Sequence, residues 1–121
     1  MWDQIGRLHV HHGDVPAEIR ILKLTEEVGE AAEALIGMRG LNSRKGICRT
    51  RDDLLDELCD VIITAAVAMC GISEGGPEEA AAHLQRRLAV VTARAGPGTG
   101  RPVATCHPRS PSGRQAPAAP A

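Results

Sequence analysis

Apolar side chains recur three and four residues apart along most of this chain, and no useful length alternates apolar with polar residues. That is the period of α-helices rather than of half-buried strands. Over residues 18–38, Ile21, Leu24, Val28, Ala31, Ala32 and Leu35 fall on one arc at about 100° per residue, with Lys23, Glu27 and Glu30 along its edge. Over residues 51–72, Leu54, Leu58, Val61, Ile62, Ala65 and Met69 make a broad apolar face beside a narrow polar stripe of Asp53, Glu57, Asp60 and Thr64. A helix this apolar is expected to be mostly buried, its acids turned to a cleft.

Punctuation marks the ends. A short first helix over about residues 2–12, with Trp2, Ile5, Leu8 and His9 on one side, breaks at His11-His12-Gly13-Asp14. Asp14 or Pro16 opens the second helix, since proline suits a first turn, and Gly40 closes it. Thr50 followed by Asp53 resembles a capping box and starts the third helix at about residue 51. Gly71, Gly75, Gly76 and Pro77 make the next turn. The fourth helix follows, with Glu78 and Glu79 at its positive end and Arg94 at its negative end. The pattern predicts an all-α fold: a small antiparallel helix bundle of three long helices plus a short N-terminal one.

Composition shortens the folded part. Six of the eight prolines lie beyond Gly96 in GPGTGRPVATCHPRSPSGRQAPAAPA, which has almost nothing to bury. Residues 96–121 therefore read as a disordered Pro/Ala/Gly/Arg tail and residues 1–95 as one helical domain. Burial alone leaves so small a monomer marginal, and oligomerisation is a natural remedy. Arg101, Arg109 and Arg114 lie in the tail without any acid, so residues 1–95 hold the remaining 11 basic and all 15 acidic residues, a net charge of −4. An acidic domain argues against nucleic acid as the main partner.

Cys48, Cys59, Cys70 and Cys106 form no CxxC and have no histidine at zinc spacing. They read as reduced thiols. With a polar N-terminus that lacks a leader pattern, this points to the cytoplasm. The longest apolar run, Val61 to Ile72, is too short to span a bilayer.

Chemistry concentrates in two acidic clusters: Glu26, Glu27 and Glu30 in LTEEVGEAAEAL, and Glu57 and Asp60 in LLDELCDVIITAAVA. Acids three apart share a helix face, and like charges there repel. Two such helices side by side would build a cage of Glu27, Glu30, Glu57 and Asp60, untenable without counter-charge. A hard divalent cation such as Mg²⁺ would supply it and sit between carboxylates and phosphates. Lys23, Arg44, Lys45, Arg86, Arg87 and Arg94 are candidate phosphate ligands, although Lys23 serves equally as an i, i+4 partner of Glu27. Arg44 and Lys45 are more often simply part of a soluble loop, and their place between the two acidic helices is what makes them candidates. Glu33, Asp52 and Asp56 are read as surface charge, Asp53 as a cap, His9, His11 and His12 as surface histidines, and Gly29 as a helix-packing position. No Walker loop is present.

Glu26-Glu27-Val28-Gly29-Glu30, followed after 26 residues by Glu57-Leu58-Cys59-Asp60, resembles the EExxE and ExxD motifs of the MazG-like branch of the all-α nucleoside triphosphate pyrophosphohydrolases. The likeness covers roughly residues 18–72. It implies Mg²⁺-dependent hydrolysis (with Mn²⁺ as a substitute ion) of a nucleoside triphosphate to monophosphate and pyrophosphate by a homodimer or homotetramer. It maps Glu27, Glu30, Glu57 and Asp60 onto metal ligands, and Glu26 onto the acid that positions or deprotonates the attacking water. The family's KxxxNxxR pattern is replaced by Arg87, Val91 and Arg94, without the asparagine. Trp2 is the lone aromatic, so no base-stacking platform is evident. The rival reading is a non-catalytic helical oligomerisation or binding module.

Overall fold

The computed structural model describes residues 1–96, and the tail read as disordered lies, beyond Gly96, outside the described residues. The chain folds as a small all-α bundle with no strand among the described residues: α1 (Trp2–His11), α2 (Ala17–Arg39), α3 (Arg51–Ile72) and α4 (Gly76–Ala95). No described helix is long and apolar enough to cross a membrane.

The helix ends follow local chemistry. Pro16 precedes α2 without any side-chain cap, and Gly40 ends it in the left-handed conformation at φ 62°, donating to the Gly37 carbonyl. The expected capping box opens α3. The Asp53 amide donates to Thr50 Oγ1 at 3.1 Å, and the Thr50 amide donates to Asp53 Oδ2 at 2.6 Å. The Thr50 amide, and after it the Thr50 hydroxyl donating to Asp53 Oδ2 at 2.8 Å, hold the Asp53 carboxyl below the ordinary carboxylate range. At α4 the Glu79 carboxylate accepts from the Gly75 amide at 2.7 Å.

α3 is the central helix. One end packs with α1 and α4 around Ile5, Ala66, Val67, Cys70 and Ala80, flanked by Trp2, Leu8 and Met69. Burial there pushes the Cys70 thiol up. Along the rest of its length α3 packs on α2, which touches no other helix. Gly37 lets the loop cross closely, since a Cβ there would stand 2.7 Å from Arg49 Cγ.

The packing differs from the periodicity-based expectation on each long helix, and α3, expected to be mostly buried, buries only Ala66, Val67, Ala68 and Cys70. α2 turns Arg20, Glu27, Ala31 and Ala34 inward, while Ile21 and Val28 stay about half exposed at 49% and 53%. Leu35 on α2, and Leu58 and Ile62 on α3, are exposed as well. On α4 only Ala80 is buried, because α4 reaches α1 and α3 but not α2. The apolar arcs are wider than the neighbours within the chain.

Candidate functional site

The α2–α3 contact is where the two acidic clusters meet. On α2, Glu27 follows Arg20 by two helical turns and shares its inward face, so its carboxylate is carried under α3 and is buried at 7% exposure. On α3, Glu57 and Asp60 sit on the side turned toward α2, Glu57 half-buried and Asp60 exposed. Carboxylate oxygens of Glu27, Glu57 and Asp60 lie within 4.8 Å of one another. Among the described residues this is the one grouping of acids, histidines or cysteines with metal-holding geometry.

Glu30 stands beside the trio rather than within it. Its carboxyl is pushed above the ordinary glutamate value, first by desolvation and then by the negative charges of Glu27 and Glu57. That perturbation places a fourth acid in the same field. Lys23 bridges two members of the first cluster, its Nζ donating to Glu26 Oε2 at 2.9 Å and to Glu27 Oε1 at 3.0 Å. The two carboxylates hold the lysine far on the protonated side of its ordinary range. Glu26 keeps 57% of its side chain exposed, and Lys23 keeps 50%.

One lysine cannot neutralise the three converging carboxylates and Glu30 beside them, so the site stands net negative. Oxygens from two helices fit a hard divalent ion, which takes carboxylates and keeps waters in its open positions. Glu27 and Lys23 also form the edge of a cleft of about 360 Å³ lined by His12, Val15, Ile19, Arg20, Ile63, Thr64 and Val67. A ligand in that cleft would have an apolar wall on one side and the acid–lysine edge on the other.

Other expected residues stand apart. Arg44 and Lys45 are exposed on the loop after α2, and the end of α2 at Arg39 lies about 18 Å of helix beyond Glu27. Arg87 and Arg94 are exposed on α4, which does not reach α2. Neither loop nor α4 cations form an ion pair among the described residues. His11 and His12 stack edge-on at 5.7 Å, and His12 lines the cleft. Gly29, read as a packing position, has nothing within 4 Å of where a Cβ would be.

Arg20 was missed by the sequence reading. Its guanidinium donates through Nε to the Val15 carbonyl at 3.1 Å and through Nη2 to the Gly13 carbonyl at 2.7 Å. It thereby ties the α1–α2 connection to the cleft wall. The available signal is its place seven residues before Glu27, on the same helix face.

No protein-family model matches the chain, and no curated protein or solved structure shows significant similarity to it.

Proposed function

We propose that this chain is a Mg²⁺-dependent nucleoside triphosphate pyrophosphohydrolase, cleaving its substrate to nucleoside monophosphate and pyrophosphate. The observation that carries the reading is the convergence of Glu27, Glu57 and Asp60 within 4.8 Å, next to a cleft that Glu27 and Lys23 line. A bound cation would relieve the repulsion among these acids, and a cation flanked by a lysine and a cleft suits a polyphosphate.

In this mechanism Glu27, Glu57 and Asp60 would hold the ion, with Glu30 adding negative charge beside them. Bound Mg²⁺ or Mn²⁺ would neutralise phosphate oxygens and lower the pKa of a coordinated water. Lys23 exchanges its Glu27 partner for a phosphate oxygen. Glu26, solvent-facing one turn away, orients the attacking water and accepts its proton as the P–O bond to the pyrophosphate leaving group breaks. The apolar cleft wall receives the organic half of the substrate. Apolar surface left open on every long helix supports assembly as a dimer or tetramer.

Pyrophosphate release from a panel of ribo- and deoxyribonucleoside triphosphates with Mg²⁺, wild type against Glu57→Ala, tests the reading. Release by the wild type from at least one nucleotide and its loss in the variant are expected; no release from any would overturn it.

One observation favours a second reading. Arg44, Lys45, Arg87 and Arg94 stand away from the acids within the chain, leaving Lys23 as the one candidate phosphate cation at the cluster. A non-catalytic helical module that binds a cation and a partner would look the same. In that case the panel stays silent while Mg²⁺ still binds.

A further inference from the structure

The outer face of α2 reads nearly the same in both directions. About a midpoint between Val28 and Gly29, Ile21 mirrors Ile36, Leu22 mirrors Leu35 and Thr25 mirrors Ala32. All four large members are exposed, Leu22 at 65% and Ile36 at 42%. Together with Val28 they leave on the order of 500 Å² of apolar surface on one helix, near the upper limit for the largest patch of a stable monomer.

Charges bracket the face with the same symmetry. Glu18 and Arg39 lie equally far either side of the midpoint, are exposed, and form no ion pair among the described residues. At the centre stands Gly29, interior to a helix where glycine is among the poorest formers, with open space over it within the chain. A missing side chain at the middle of an apolar face allows two helices to approach closely.

We propose that a second copy of this chain covers this face, with the two α2 helices antiparallel about a two-fold axis at Val28–Gly29. A two-fold interface must be self-complementary, and the mirrored pattern meets that requirement. Antiparallel alignment sets Glu18 against Arg39 of the partner subunit at both ends, whereas parallel alignment would set like charges together. The Lys23–Glu30 edge, which carries the acid site, lies on the far side of α2 and stays clear of this interface. The inference rests on the self-association reading above and is independent of catalysis.

The test uses the full chain with Cys48, Cys59 and Cys106 replaced by serine and the buried Cys70 kept. Light scattering gives the mass, and circular dichroism checks each variant against the parent. A dimer or an even multiple is expected. Gly29→Cys forms a disulfide-linked dimer on mild oxidation; Leu22→Cys alone does not, but mixed with Leu35→Cys it does. Arg39→Glu raises the dissociation constant by about tenfold, two rim pairs being broken per dimer, and Glu18→Arg combined with Arg39→Glu restores it. A monomer would overturn both this face and self-association. An oligomer in which Leu22→Cys links to itself, or in which neither the Gly29 link nor the charge rescue occurs, overturns the antiparallel face and leaves self-association standing.

Discussion

Replacing Glu57 with glutamine should make the metal-free protein more stable while removing its response to Mg²⁺. Glutamine has nearly the same shape and helix propensity, so the change isolates charge. The Glu57 carboxylate shares a 4.8 Å neighbourhood with Glu27 and Asp60. Two unit charges at that separation repel by about 0.9 kcal/mol in a water-like dielectric and about 3.5 kcal/mol at an effective dielectric near 20. Glu57 is half-buried, Asp60 is exposed, and Glu27 is paired with Lys23, so the lower end applies. Relief of about 1 kcal/mol raises the melting temperature of a domain this size by about 4–8 °C.

Excess Mg²⁺ reverses the order. At a hundred times its dissociation constant a bound ion stabilises the wild type by about 2.7 kcal/mol, and the variant has lost a ligand. Thermal melts followed by circular dichroism, at one protein concentration, in chelator and then in rising Mg²⁺, read both effects. The two stability curves should cross as Mg²⁺ is added. A variant less stable than wild type in chelator, or one with an undiminished Mg²⁺ shift, would refute the argument that these acids repel until a cation arrives.

Glu30 gives a pH signature. Its folded-state pKa lies above the ordinary 4.5, so its relative contribution to metal-free stability is complete below 4.5 and lost as pH rises through the folded value. Glu30→Gln should flatten that component, measured as the wild-type-minus-variant difference in melting temperature across pH; an unchanged profile would contradict the shared field. Thr50→Ala should cost about 1 kcal/mol in denaturant unfolding by removing the α3 cap, and a neutral result would mean the capping box contributes nothing to the start of α3. Thiol labelling of a chain with Cys106 replaced by serine should modify the exposed Cys48 and Cys59 quickly and the buried Cys70 only on unfolding; rapid labelling of a third thiol would show that the α1–α3–α4 core opens.

The helices were legible because their signals are local. Thr50 and Asp53 specify a cap three residues apart, Gly40 specifies a left-handed stop, and the three-and-four spacing of apolar residues needs no tertiary knowledge. The spacing also marked the acids of α2 and α3 as candidates to meet, and Glu27, Glu57 and Asp60 do, whereas Glu30 stands beside them. The rotation of α2 about its own axis was not. An apolar arc covering most of a helix offers several faces of similar hydrophobicity, and the small Ala31 and Ala34 won the contact with α3 because they let the helices approach. That choice buried Glu27 and Arg20 together and left Ile21, Val28 and Leu35 outside. The remoteness of Arg87 and Arg94 was equally unreadable, because it depends on the angle at which α4 leaves the Ser73–Gly75 turn.

The proposed reaction requires acids from two helices to gather a cation and cleave a polyphosphate. Phosphorus NMR of a nucleoside triphosphate incubated with the full chain and Mg²⁺ tests it most directly, because the spectrum names the products. Monophosphate and pyrophosphate are expected in equal amounts, and neither when Glu57 is replaced by alanine. Diphosphate with inorganic phosphate, or an unchanged triphosphate spectrum for every nucleotide tried, would contradict it.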